Sequence, residues 1–366
     1  MTSMLFSPVR MAGLELPNRI VVAPMCQYSA RNGEATDWHM THLGMLANSG
    51  CSLVVVEMTN VEPQGRITAN CLGLYSDGCE TALGRVIQHC KKIGHAHFGI
   101  QIAHAGRKAS TLSPWEGSKP VGAANGGWES IGPSPIAFGE GWPAPRAMTE
   151  ADINRVRDGF VSAAQRAVRI GFDAIELHVA HGYLLHQFIS PLSNRRTDSY
   201  GGSLEERMKF PLEVARAVRA AIPKGMPLGA RMTGSDWLDG GITPDMAAAY
   251  AGMFKDAGLN FVDVSSGGLT LEARNPTGYG YNAPLAETVR RATGLVTRTV
   301  GLIVTPEQAE TIIASGQADM IALGRTVLDD PHWAWHAAAV LGSEVKRPHQ
   351  YLRAGPSMWP GAPKAA

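Results

Sequence analysis

The chain has 366 residues, 45% hydrophobic and 18% charged, and its 41 glycines and 23 prolines give the loop punctuation of an ordinary globular protein. A net charge of +1, with no basic block and no acidic tail, argues against nucleic acid or an anionic membrane as a partner. No apolar run approaches the ~20 residues of a membrane span, and Pro8, Arg10, Glu15 and Pro17 interrupt residues 1–18 where a signal peptide would be continuous, so a cytoplasmic protein is expected.

Residues 19–24 read as a short buried strand that Pro24 stops, with Met25, Cys26, Gln27 and Tyr28 at its end. Residues 37–48 turn helical, with Gly50 as a stop, and residues 53–57 form a valine-rich second strand, with Thr59 and Asn60 just past its end. A helix over 80–93 is closed by Gly94, and a third strand over 98–103 leads into His104, Gly106, Arg107 and Lys108. Residues 110–145 are rich in Gly, Pro, Ser and Trp; an excursion of this length reads as a lid over a site or as an ordered hairpin on the rim. Thr149 with Asp152 makes a capping box for a helix whose Ile153, Val156, Phe160, Ala164 and Ala167 share one face.

The apolar run at 172–179 suits a parallel strand covered on both faces. Helices over 203–221, 244–257, 286–292, 306–314 and 333–340 then alternate with strands over 228–232, 261–265, 296–300 and 320–323. Eight strands alternating with helices, without a linker, predict a single α/β domain over 1–366, a (β/α)8 TIM barrel with a long excursion after strand three. A doubly wound open sheet is disfavoured, because no G-x-G-x-x-G follows the first strand and the polar residues come from most strands rather than one crevice.

Chemistry in such a barrel gathers just past the strand ends. His178, His181 and Tyr183 stand past the fourth strand, where two imidazoles and a phenol could hold an oxyanion and deliver a proton. The histidines could instead be metal ligands, although no third ligand sits near them in sequence, or a hydrogen-bonded structural pair. Gly301, Gly324 and Arg325, at the last two strands, are suited to a phosphate: glycine admits backbone amides and arginine forks the oxygens. Gln101 and Arg231 end the third and fifth strands and suit the edge of a heteroaromatic ring beside a developing negative charge; Arg231 could alternatively form a salt bridge with Glu176. A phosphate tail, an edge reader and a cation together describe flavin mononucleotide (FMN). The five cysteines contain no C-x-x-C and leave one unpaired, so neither a disulfide framework nor a metal cluster is expected.

The segments Ala23-Pro24-Met25-Cys26-Gln27-Tyr28, Gln101-Ile102-Ala103-His104-Ala105-Gly106-Arg107-Lys108, His178-Val179-Ala180-His181-Gly182-Tyr183-Leu184-Leu185-His186-Gln187-Phe188 and Asn194-Arg195-Arg196-Thr197-Asp198-Ser199-Tyr200-Gly201-Gly202 resemble the old yellow enzymes, most of all their thermophilic-like branch with its bacterial xenobiotic reductases. The likeness runs from Leu5 to Arg353 and implies an FMN-dependent, NADPH-consuming ene reductase acting on small activated alkenes. It implies that His178 and His181 hold the substrate carbonyl, that Tyr183 protonates the α-carbon, that Cys26 tunes the flavin and that Tyr28 lines the substrate pocket. Ala23, Pro24, Met25, Gln101 and Arg231 would meet the flavin ring, and Gly301, Gly324 and Arg325 its phosphate. Asn60 would stand beside the ring where the resemblance places a small residue, often alanine. Arg353 would reach into a neighbouring subunit's site, which implies a homodimer or homotetramer, with the tail over 344–366 touching that neighbour.

Three other readings compete with this one. They are another FMN barrel oxidoreductase of the dihydroorotate or dihydrouridine type, a metal-dependent barrel hydrolase or lyase built on His178 and His181, and a flavin carrier without turnover.

Overall fold

A computed structural model describes residues 3–355 and 357–361; Pro356 and residues 362–366, the end of the tail expected to touch a neighbour, lie outside the described residues. Eight parallel strands close on themselves: β1 (Ile20–Val22), β2 (Leu53–Asn60), β3 (His97–Ala103), β4 (Ala174–Val179), β5 (Leu228–Thr233), β6 (Phe261–Ser265), β7 (Val296–Val300) and β8 (Met320–Leu323). β8 pairs with β1, so every strand has two neighbours and the sheet keeps no edge. The (β/α)8 TIM barrel expected from the sequence is the observed fold.

Eight helices ring it: α1 (Asp37–Leu46), α2 (Asp77–Ile93), α3 (Glu150–Ile170), α4 (Leu204–Ala221), α5 (Pro244–Asp256), α6 (Ala283–Thr293), α7 (Pro306–Ala314) and α8 (Trp333–Val340). Their starts follow capping chemistry. The Thr149 hydroxyl accepts from Asp152 N–H at 3.2 Å while the Asp152 carboxylate accepts from Thr149 N–H at 2.9 Å, which satisfies two donors the helix leaves free. Ser76 caps Cys79 N–H at 3.1 Å and starts α2 three residues earlier than its apolar pattern indicates. The buried faces of these helices, such as Leu83, Val86, Ile87 and Cys90 of α2, form one continuous core with the outer face of the barrel.

Other boundaries moved for equally local reasons. β2 continues to Asn60 because Asn60 N–H donates to Leu72 O, and its carbonyl accepts from Leu74 N–H, both at 2.9 Å. β4 begins at Ala174 because Phe172 N–H still serves the end of α3, at 3.1 Å from Ala167 O. Two short helices, Leu184–Ile189 and Arg325–Asp329, follow β4 and β8. A hairpin, Val9–Met11 with Leu14–Leu16, was not foreseen; its Met11 and Leu16 pack against Leu53, Phe261 and Met320 and close the floor of the barrel.

The excursion after β3 contains short 3₁₀ turns and a two-residue pair, Ile131–Gly132 with Arg146–Ala147. That pair is parallel, which corrects the hairpin alternative, since parallel strands cannot be joined by a tight turn. The buried guanidinium of Arg107 fastens the excursion across the barrel mouth, donating to Ile136 O at 3.0 Å, Ala137 O at 3.1 Å and Leu269 O at 2.7 Å. No helix among the described residues is long and apolar enough to cross a membrane.

Candidate active site

Inside the barrel a polar layer lies above the apolar floor. Register sets Gln101 beside Glu176 and Asp263 beside both Arg231 and Arg298. Arg298 is fully buried and pairs closely with Glu176 and at 3.1 Å with Asp263, while Gln101 Nε2 donates to Glu176 Oε1 at 2.7 Å. The proposed salt bridge between Arg231 and Glu176 is therefore not made. Glu176 lies level with Gly229, two residues below Arg231, and Arg298 reaches it first. Arg231 is left with Asp263 at 3.7 Å and a buried Nε that has no hydrogen-bond partner. Arg298 was missed in the sequence; the signal was a charge in the middle of each of three apolar strands, Glu176, Asp263 and Arg298.

The end of β4 carries the densest chemistry. His181 and Gly182 both take left-handed backbone angles, φ +57° and +73°, and a Cβ on Gly182 would lie 2.3 Å from Gly268 O, so only glycine fits there. Buried side chains of the following helix grip that peptide from both sides. Gly182 N–H donates to His186 Nδ1 at 2.8 Å, and Gln187 Nε2 donates to Gly182 O at 2.7 Å. With Nδ1 accepting, His186 gives its Nε2–H to Asp236 Oδ1 at 2.9 Å, and Asp236 Oδ2 also accepts from Ser190 Oγ at 2.8 Å and Ile242 N–H at 2.9 Å. His186 was visible in the sequence as part of a motif, but Asp236, fifty residues away, carried no local signal.

Three rings result from this fixed turn. The ring centroid of His178 lies 5.2 Å from that of His181 and 4.8 Å from that of Tyr183, both edge to face. His178 Nδ1 accepts from Ala180 N–H at 3.3 Å, so its Nε2 carries the proton and donates. His181 Nε2 sits 2.8 Å from Ser265 Oγ. Burial, and then the Arg231 cation, push both imidazoles well below their ordinary range, which keeps them neutral. Burial pushes the Tyr183 phenol well above its usual value, so it holds its proton. Lys108 donates to His181 O at 2.8 Å and Gly268 O at 3.1 Å, and burial lowers its amine to about 7. Among the described residues no group of three His, Cys, Asp or Glu side chains is arranged to hold a metal.

Two cavities flank these rings. The first, about 750 Å³, is lined by His181, Arg231, Ser265, Gly301, Gly324 and Arg325, among others. Gly301 has φ +123°, and a Cβ there would meet the Tyr281 ring at 2.7 Å, so the chain turns at this wall only as glycine. The second, about 780 Å³, is lined by Tyr28, Lys108, Phe138, Trp142, Tyr183 and Leu271 with neighbours from the excursion. Cys26 packs with Tyr28 and Tyr183 on the cluster around Met58, Cys71 and Ala103, and burial raises its thiol well above the usual value.

The sequence-derived residues thus divide. Arg231, Gly301, Gly324, Arg325 and His181 share the first cavity, Tyr28 and Tyr183 the second, and His178 lies between them. Ala23 and Met25 lie just past the C-terminal end of β1 beside Glu57 and line neither of these two cavities. Asn60 Nδ2 donates to Leu72 O at 2.7 Å, and its buried Oδ1 has no partner. Arg353 is exposed in the 3₁₀ turn His349–Ala354 and touches neither cavity of this chain.

The residues present fit an FMN-sized group. Two arginines, Arg231 and Arg325, line a cavity with a glycine-built wall, and the buried Nε of Arg231 makes no hydrogen bond. Fold and site together define a barrel oxidoreductase that carries a phosphate-tailed cofactor.

Comparison with known proteins gives the family. The model of the NADH:flavin oxidoreductase / NADH oxidase family matches residues 4–344. An NADPH dehydrogenase of Geobacillus thermodenitrificans is 42% identical over 355 residues, covering 96% of this chain and 99% of its own. An NADH:flavin oxidoreductase of Gibberella zeae is 40% identical over 363 residues, covering 94% of this chain and 87% of its own. Among solved structures, morphinone reductase superposes with a TM-score of 0.77 at 26% identity, covering 95% of this chain and 92% of that one, and another structure of it holds tetrahydroNAD. The chain belongs to the NADH:flavin oxidoreductase / NADH oxidase family, the old yellow enzymes; its cofactor is FMN and it is an NADPH-dependent oxidoreductase.

Proposed function

We infer that the protein is an ene reductase, in which an α,β-unsaturated carbonyl compound and NADPH with one proton become the saturated carbonyl compound and NADP⁺. The observation that carries this reading is the pair of neutral imidazoles beside a protonated phenol at the end of β4, between two cavities. FMN, when bound, supplies the two-electron chemistry, accepting hydride from NADPH and passing it to the β-carbon. The protein supplies the rest. The Nε2–H of His178 and the ring of His181 donate to the carbonyl oxygen, where negative charge develops as hydride arrives, and the dry surroundings strengthen those bonds. Tyr183 Oη–H gives its proton to the α-carbon and recovers one from water.

In this reading Gly301, Gly324 and Arg325 hold the phosphate, and Ala23, Pro24, Met25, Cys26, Gln101 and Arg231 meet the ring. Gln101 keeps its Oε1 free, since its amide nitrogen serves Glu176, and Asn60 has Oδ1 to offer. Tyr28 lines the substrate side. We also infer a homodimer or homotetramer in which Arg353 reaches a neighbour's site, supported by the exposure of Tyr351, Leu352 and Trp359 around it. A cytoplasmic setting is supported by the five free cysteines.

The deciding experiment is the visible spectrum of the purified protein, taken anaerobically with NADPH and then with 2-cyclohexenone. Yellow absorbance should bleach with NADPH and return with the enone; a protein that stays colourless and inactive after FMN is added overturns the reading. Tyr183→Phe should slow reoxidation by the enone about 100-fold or more while NADPH bleaches the flavin at nearly the wild-type rate. Equal loss in both half-reactions would remove Tyr183 as the proton donor.

A further inference from the structure

Four charged side chains belong to the polar layer above the barrel floor: Glu176 of β4, Arg231 of β5, Asp263 of β6 and Arg298 of β7. Two cations face two anions, but the contacts are shared unequally. Arg298 Nη2 pairs closely with Glu176 Oε2 and lies 3.1 Å from Asp263 Oδ2, so one guanidinium serves both carboxylates. It crosses from β7 to β4 over the Phe261 ring, whose centroid is 5.5 Å from its Cζ. That ring fills the space beside Gly229, where a Cβ would lie 2.5 Å from it. Arg231 stands in register with Asp263 on one side and His178 on the other, and it lines the first cavity. It comes only within 3.7 Å of the Asp263 oxygen that Arg298 already holds, and its buried Nε makes no hydrogen bond.

We propose that Arg298 is a positioning residue for FMN: by holding Glu176 and Asp263 it leaves the Arg231 guanidinium to the flavin ring, and thereby sets how tightly FMN binds and at what potential it is reduced. The inference rests on the reading in which Arg231 meets the ring and adds the residue that keeps it there. A buried carboxylate without a partner draws a nearby cation strongly, because the interior screens little. Without Arg298, the cation left beside Asp263 is Arg231, and a guanidinium pulled onto that carboxylate is lost to the ring. The ring gains negative charge on reduction, so a cation at its edge favours the reduced form. An ion pair that only held strands together would change stability and leave the potential alone.

The test is FMN binding to apoprotein, followed by quenching of flavin fluorescence, together with the midpoint potential of the loaded protein from anaerobic titration against a reference dye. Arg298→Met should weaken FMN about tenfold or more, the worth of a charged hydrogen bond. It should also cut the ratio of reduced to oxidised affinity about tenfold, a midpoint about 30 mV lower for a two-electron couple. Because Arg298→Met leaves two carboxylates to one guanidinium, the charge-balanced variant Arg298→Met/Glu176→Gln guards against a failure to fold and should show the same two losses. In Arg231→Met protein, the further loss of Arg298 should change neither reading by more than about twofold. Wild-type readings in the charge-balanced variant, beside lower ones in Arg231→Met, overturn the proposal and leave Arg231 at the ring. Equal losses on removing Arg298 with and without Arg231 also overturn it, since Arg298 would then act on the ring by itself. Wild-type readings in Arg231→Met overturn the assignment of Arg231 to the ring, and the proposal with it.

Discussion

The two cavities share the turn at the end of β4 but are built by different means. The first is walled by the strand ends of β4 to β8 and the loops that follow them, so the hydrogen-bonded ladder of the barrel sets much of its shape and backbone glycines open it. The second is roofed by the excursion after β3, whose rings are held by side-chain packing and by hydrogen bonds such as those of the buried Arg107 guanidinium. On the proposed assignment of the two cavities, the contrast teaches that the cofactor end of this molecule is a property of the barrel, whereas the substrate end depends on a few side chains.

The largest effect should come from the seam between them. His186→Ala removes the acceptor of Gly182 N–H and leaves the buried Asp236 carboxylate without its imidazole, a loss of about 3–5 kcal/mol in stability, read as a lower denaturant midpoint. In whatever folds, reoxidation by the enone should fall more than bleaching by NADPH; equal losses would show that the turn serves both cavities alike.

Next, Arg325→Ala should weaken FMN by about 1.5–3 kcal/mol, the worth of a charged hydrogen bond, measured by fluorescence quenching as FMN is titrated into apoprotein. At saturating FMN the preference among enones should not change. The mirror-image variant is Arg107→Met, which unties three carbonyls and should cost about 1–3 kcal/mol in stability. It should raise KM for enones while FMN affinity stays at the wild-type value, and a matched fall in FMN affinity would erase the contrast.

The effect of pH is spread over three residues. His42, held at about 4, and His178 and His181 are neutral in the fold because burial pushes their pKa values down. Between those values and about 6.5 the unfolded chain binds more protons than the native one, so stability rises with pH in that window and is lost as pH falls through it. Stability should therefore fall from pH 7 to pH 5 by at most about 1.4 kcal/mol per pH unit for each such histidine, read as a lower melting temperature. His42→Phe should lessen the slope, and an unchanged slope would mean that the fold protonates these rings.

Much of this architecture was legible in the residues. β6, β7 and β8 have the bounds expected from the sequence, because apolar residues flank the polar ones, Asp263 in β6 and Thr297, Arg298 and Thr299 in β7. That Gly301, Gly324 and Arg325 would share one cavity was equally legible, since they lie at strand ends whose place in a barrel follows from the strand count. The floor hairpin Val9–Met11 with Leu14–Leu16 was not, being too short for periodicity to register. Nor was the direction of the pair Ile131–Gly132 with Arg146–Ala147, which depends on where the excursion is strapped rather than on its own residues.

By itself, then, the sequence determined the barrel, the order of its strands and the row of groups at its mouth, because alternating apolar periods admit one closed arrangement and side chains past each strand fall at the same end. Only the tertiary structure decided which of those groups meet. Whether Glu176 takes Arg231 or Arg298 is a matter of strand register, one layer up or down. Whether His186 finds Asp236, or Lys108 spans Phe138 and Tyr183, depends on loops far apart in the chain being brought together, and contacts at that sequence distance leave no periodic trace.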